Sequence, residues 1–187
     1  MERFRGVARA NRDSPDIVLQ SHLQFLRSGA DVITTNTYAC VPAALATEGG
    51  GSPDDVVDLV QAGGALAARA RDIAISEGLS NARPLVAGCL PPLHESYRPD
   101  RVGDYDELSS TYRMIVDSVA PSSDVLLCET MHSTAEACAA AEAANAAGLP
   151  VWVSFTVSEV DVGCLRSGEA IAEGVAAIAE FRNVEAA

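Results

Sequence analysis

The stretch Asp124-Val-Leu-Leu-Cys-Glu-Thr130 decides the fold: an apolar run too short for a helix, turning polar at its C-terminal end. Three other segments share the pattern: Asp31-Val-Ile-Thr-Thr-Asn-Thr-Tyr38, Leu85-Val-Ala-Gly-Cys-Leu90 and Val151-Trp-Val-Ser-Phe-Thr156. Each is followed by a loop and a helix-like stretch. Apolar strands that become polar at their C-terminal ends place side chains at the mouth of a parallel sheet, where α/β folds keep their chemistry. Strands and helices alternate throughout, so the expectation is a parallel sheet with right-handed crossovers.

Working outward, Asp13-Ser-Pro-Asp16 opens a helix whose apolar face is Ile17, Leu19, His22, Leu23, Phe25 and Leu26, closed by Gly29. Ser52-Pro-Asp-Asp55 opens a long helix with the mid-helix pair Gly63-Gly64, which implies close packing against a strand. Pro84 precedes the second strand. The proline-rich Leu90–Pro99 loop after it is longer than most strand-to-helix connections and reads as a rim or lid. A helix over 104–120 follows. Ser133-Thr-Ala-Glu136 has the pattern of a capping box opening an alanine-rich helix to Ala147, and a last helix runs from about Glu169 to Phe181. With 187 residues and no low-complexity linker, residues 1–187 read as one domain.

The formal net charge of −13 argues against nucleic acid and anionic membranes as partners. No run reaches the roughly 18 apolar residues of a membrane span, and Met-Glu-Arg-Phe-Arg-Gly6 lacks the apolar run expected of a signal peptide. Five cysteines without a C-x-x-C pair suggest reduced thiols in a cytoplasmic protein.

Glu129 is the most informative side chain, because an unpaired carboxylate ending an apolar strand is costly to bury. It reads either as the partner of a substrate ammonium or as half of a structural ion pair. Asn36, Thr37 and Tyr38 offer donors and acceptors at the first strand's end, and Ser154 and Thr156 at the fourth's. Thr is also a good strand former, so Asn36 carries more information than the threonines. Cys89 with His94, or Cys128 with His132, would supply part of a zinc tetrahedron, yet strand alternation turns Cys128 to the helices if Glu129 faces the site. Arg98 and Arg101 are candidates for a substrate carboxylate, although exposed loop arginines are more often just solvated. No phosphate-binding glycine motif is present.

Together these strings resemble the homocysteine S-methyltransferase family. The resemblance runs over most of the chain: Gly29–Tyr38 is similar to the family's second barrel strand, Val86–Leu93 with Ser96–Pro99 to its third-strand region, Leu126–Thr130 to the fourth, and Val151–Thr156 with Leu165–Glu169 to the fifth. It has Cys-Leu-Pro-Pro where many members carry Ser-Ile-Gly-Pro. The resemblance implies a partial (β/α)8 barrel of about four parallel strands and a methyl transfer to the thiol of homocysteine, the chemistry of methionine biosynthesis. It implies that Glu129 holds the amino-acid part of homocysteine and that Asn36, Thr37, Tyr38, Ser154 and Thr156 line the pocket. The family's zinc cysteines lie in motifs after its sixth strand and near its eighth, and none of the five cysteines here matches them. The expectation is therefore an incomplete domain holding family strands two to five, with homocysteine and a small methyl donor as partners, and with zinc belonging to the family but its ligands absent from this chain. Two rivals stand beside it: a non-catalytic half-barrel that dimerises or docks on a partner through open sheet edges, and an unrelated enzyme with Cys89 as nucleophile.

Overall fold

The computed structural model describes residues 6–79 and 83–186. After the short helix α1 (Ala10–Asp13) come α2 (Pro15–Arg27), β1 (Val32–Thr34), α3 (Pro42–Ala46), α4 (Pro53–Ser76), β2 (Leu85–Leu90), α5 (Tyr105–Val119), β3 (Val125–Met131), α6 (Thr134–Ala146), β4 (Val151–Phe155), α7 (Ile171–Ile178) and β5 (Val184–Ala186). The strands lie side by side in chain order, β1-β2-β3-β4-β5, and every pairing is parallel. That is the order of a barrel wall, with helices returning the chain over one face.

Among the described residues five strands form, where about four were expected. Val184-Glu-Ala186 is too short to show periodicity, and it becomes a strand because β4 offers it an edge: Val151 N–H donates to Asn183 O at 2.8 Å. The first strand is shorter than its sequence suggested. Beyond Thr34 the chain leaves the ladder as a turn in which Thr37 N–H reaches back to Thr35 O.

The two faces of the sheet differ sharply. Leu90, Leu126, Cys128, Val151 and Val153 pack into the core with the inner faces of α4, α5 and α6, while Ile33 and Val86 join α2 and the C-terminal half of α4. The register places Cys89 beside Leu127 and Leu127 beside Trp152, so these residues share the opposite face. There Thr34, Leu127 and Trp152 are only half-buried and Ser154 is exposed. The helix-covered face is sealed; the other, which a closed barrel turns inward, remains open.

Local chemistry sets the element boundaries. Ser52 and Asp55 form a reciprocal capping box on α4. Ser133 caps α6 by accepting from Glu136 N–H, but the Glu136 side chain does not return the bond as its sequence pattern suggested. It turns inward instead to accept from Leu93 N–H (3.0 Å) and Tyr112 Oη (3.3 Å). Gly63 does pack closely, though against the turn after β1 rather than the strand: a Cβ there would stand 2.7 Å from Asn11 Nδ2 and 3.0 Å from Thr37 Cγ2. Gly64 faces Ser122, at the entry to β3.

Candidate functional site

At the end of β3 the ladder to β4 slips between Cys128 and Met131, and Thr130 adopts φ 66°. A β-branched residue in the left-handed region is strained by about 1–3 kcal/mol. Strand alternation puts Glu129 on the open face with Leu127, away from the helices, and the ladder slips around it. There Cys89 Sγ donates to Glu129 Oε2 at 3.2 Å. Burial raises the Cys89 pKa well above the ordinary thiol value, and the Glu129 charge adds to the effect. The thiol stays protonated and so remains a donor to the carboxylate. Glu129 itself is half-buried and, among the described residues, has no arginine as a hydrogen-bond or salt-bridge partner.

Beside this pair lies a cavity of about 430 Å³ lined by Tyr38, Pro92, His94, Ser96, Tyr97 and Thr130, among others. Tyr38 Oη and Ser96 Oγ are 2.7 Å apart, which fastens the β1 exit to the β2–α5 loop. Burial raises the Tyr38 pKa although the Ser96 and Thr130 hydroxyls oppose it, so the phenol is neutral at physiological pH. Tyr97 has φ 65°. Among the described residues, Tyr97 and Thr130 are the two non-glycine positions with positive φ, and both line this cavity. Backbone strain gathers where surrounding structure enforces a functional geometry.

The loop carrying Tyr97 is anchored from beneath. Tyr112 Oη donates to Pro91 O at 2.9 Å, and Glu136 holds Leu93 N–H. His132 Nε2 lies 3.1 Å from Glu136 Oε2, both side chains almost fully buried. The contact is close without hydrogen-bond alignment. Burial lowers the His132 pKa, with the Glu136 carboxylate opposing, and we assign a neutral imidazole.

The other sequence-derived candidates are placed differently. Asn36 faces α1: its Nδ2 donates to Asn11 Oδ1 (2.8 Å) and Val7 O (3.0 Å). Thr37 is fully buried and its hydroxyl donates to Cys89 O at 3.0 Å. Thr156 Oγ1 donates to Met131 O at 3.3 Å, and Ser154 projects from the exposed open face. Glu129 and Tyr38 are thus brought together near one cavity, whereas Asn36 and Thr37 brace the scaffold. Arg98 and Arg101 are occupied within their own loop: Arg98 grips Asp100 through two nitrogens (2.8 and 2.6 Å), and Arg101 Nη1 lies 2.9 Å from Glu95. The larger cavity, about 570 Å³, lies along the outer side of β1 against Ile17, His22 and Phe25 and includes Asn36. It is mainly apolar and remote from the strained β3 end, so we place the chemistry in the smaller one.

The homocysteine S-methyltransferase family model matches residues 2–187. The chain belongs to the homocysteine S-methyltransferase family. It is 31% identical to a betaine-homocysteine S-methyltransferase of Drosophila melanogaster, covering 95% of this chain and 57% of that protein. It is 27% identical to a homocysteine S-methyltransferase of Escherichia coli K12, covering 93% and 58%. Among solved structures, the metallated form of the Escherichia coli homocysteine methyltransferase MmuM superposes with a TM-score of 0.85 at 27% identity, over 95% of this chain and 64% of that one. The chain thus spans little more than half the length of these curated relatives, and its fold is a partial (β/α)8 barrel.

Methyltransferases of this family are generally zinc-dependent, and the residues described here do not fit a zinc site. Among them no group of three or more His, Cys, Asp or Glu side chains is placed to hold a metal ion. Cys128 faces the helices and burial pushes its thiol up to about 12; Cys40, also buried, is likewise pushed up to about 12, with the Asn11 amide opposing. Neither Cys89 with His94 nor Cys128 with His132 grows into a ligand set. The strained Thr130, the Cys89–Glu129 bond and the diversion of Glu136 were not legible beforehand. The one usable signal was Cys89 standing where many family members carry serine, since both can donate a hydrogen bond.

Proposed function

We propose that this chain forms the amino-acid-gripping portion of a homocysteine S-methyltransferase, and that residues 1–187 are one incomplete barrel domain. Glu129 takes the substrate ammonium. The observation that carries the reading is its placement: a carboxylate with no arginine partner among the described residues, on the open face of the sheet, beside the slipped ladder and a strained Thr130. The protonated Cys89 thiol fixes one carboxylate oxygen and leaves the other for an ammonium. Tyr38, with Ser96, closes the side of the pocket, and Ser154 and Thr156 form its far rim. A free thiol near pKa 8.5 is only a few per cent ionised at neutral pH, and the described residues hold no ligand set for the zinc that would ionise it. The described residues hold and orient the amino acid but do not ionise its thiol. Five free cysteines support a reducing, cytoplasmic compartment.

The test is calorimetric binding of L-homocysteine to the wild-type chain and to Glu129→Gln, with circular dichroism to confirm folding. Removing the charge from an ammonium contact should weaken binding more than about tenfold. Equal affinity of the two proteins would refute the role of Glu129.

A second reading is a half-barrel that associates through its edges. The outer side of β1 favours it: Ile17 and Phe25 on α2 are 68% and 65% exposed beside the 570 Å³ cavity. Sedimentation equilibrium decides: a dimer that Phe25→Glu converts to monomer supports association, and a monomeric wild type removes it.

A further inference from the structure

A pocket that holds an amino acid by its ammonium leaves the α-carboxylate in need of a cation. The two arginines that sequence suggested, Arg98 and Arg101, are tied to Asp100 and Glu95. His94 lies 3.7 Å from Glu107. Another cation lies over Tyr97, one of the residues lining this cavity. Arg166 sits in the loop between β4 and α7, and its guanidinium carbon lies 5.1 Å from the ring centroid of Tyr97, within cation–π range.

The main chain around Arg166 is held firmly. Its N–H donates to Thr156 O at 2.9 Å, at the tip of β4, and Ser167 N–H donates to His132 O at 3.0 Å, at the tip of β3. Leu165 beneath it is fully buried, and Leu165 N–H donates to Glu169 O at 2.7 Å. Val157 and Leu165 pair across the loop in an antiparallel bridge. The side chain therefore starts from a rigid point between the two strand ends flanking Glu129 and Thr156, and extends over Tyr97, whose backbone is itself strained. Its ionic partner is Glu159, 3.0 Å away, with a side chain 80% exposed. Exposed ion pairs contribute little, so a substrate carboxylate can replace Glu159 at small cost.

We propose that Arg166, stacked on Tyr97, receives the α-carboxylate of the amino-acid substrate and selects zwitterionic amino acids over simple thiol amines. This rests on the reading of Glu129 as the ammonium partner. Arg166 is a specificity-determining residue: a planar guanidinium offers a carboxylate two parallel N–H donors, and the Tyr97 ring holds the fork in place. Glu159 acts as an internal competitor for it.

The experiment compares calorimetric binding of L-homocysteine and of 3-aminopropane-1-thiol, its decarboxylated analogue, under reducing conditions. Four proteins are used: wild type, Arg166→Gln, Arg166→Lys and Glu159→Gln. Wild type should prefer homocysteine, and Arg166→Gln should lose more than about tenfold in homocysteine affinity while the amine's affinity is unchanged. Arg166→Lys should recover part of the preference, and Glu159→Gln should bind homocysteine more tightly. A preference ratio unchanged in Arg166→Gln overturns the proposal while leaving Glu129 intact. Parallel loss of both ligands in Arg166→Gln, with Arg166→Lys no better, also overturns it, because that marks a structural role. Wild type binding neither ligand overturns the proposed function and this inference with it.

Discussion

The ends of β1 and β3 carry the same signal in sequence, an apolar strand that turns polar, and the molecule uses them in opposite ways. At the end of β1 almost every polar group is consumed by the scaffold. Asn11 Nδ2 donates to Asn36 O (2.8 Å) and Leu59 O (3.0 Å), Asn36 returns a bond to Asn11, and the Thr35 and Thr37 hydroxyls bridge to the backbone of Cys89. At the end of β3 the backbone is strained, the ladder slips, and Glu129 has a thiol for its hydrogen-bond donor. Satisfied polar groups build rigidity; a carboxylate held short of full satisfaction is available to a ligand. The lesson is that polar residues at strand ends mark where chemistry can sit, and only their partners show whether it does.

Four expected outcomes press on this contrast, from largest to smallest. Asn11→Ala removes the amide that bonds Asn36 O, Leu59 O and Asn36 Nδ2, of which Asn36 Nδ2 keeps Val7 O, and should reduce stability by about 2–4 kcal/mol in urea unfolding. A loss under about 1 kcal/mol would mean that the β1 bracket is not a structural joint. The second outcome concerns pH. His22, beside β1, has its pKa lowered by burial, and His132, just after β3, has its pKa lowered by burial against the opposing pull of Glu136. Because both folded values lie below the unfolded one, the unfolded chain binds more protons in that range. Their contribution is fully present above about pH 6.5 and fades as pH falls through the folded values. Stability should decline on acidification from pH 7 to 5, and His22→Leu should flatten the slope; an unaltered slope removes His22 from the account.

Thr130→Gly should act in the other direction. Glycine accepts φ 66° without a Cβ penalty, so the variant should gain up to about 1 kcal/mol of stability while weakening homocysteine binding. A destabilised Thr130→Gly would show that its side-chain contacts outweigh the strain. The smallest effect belongs to Glu129→Gln, whose stability should stay within about 0.5 kcal/mol of wild type although its affinity falls. A large loss of stability there would make Glu129 a structural residue and erase the difference between the two strand ends.

Much of the architecture was legible because it follows from local pattern. The four strand cores, the long helices and the Ser52 cap appear close to where periodicity and end signals put them. The short elements were not legible: α1, α3 and β5 have three to five residues each, and they exist because neighbouring surfaces receive them. The same reason explains the site. Glu129 was identified because a carboxylate is out of place in an apolar strand. Arg166 was passed over because an arginine in a polar loop is ordinary in sequence, and only folding sets it over Tyr97.

By itself the sequence determined the alternation of strand and helix and the parallel sheet, since hydrophobic periodicity and capping act over a few residues at a time, and its strand-end motifs carried the resemblance to the family. The tertiary structure decided which polar ends are spent on the scaffold and which stay open, because that depends on partners tens of residues away: Asn11 for Asn36, Cys89 for Glu129, Tyr97 for Arg166.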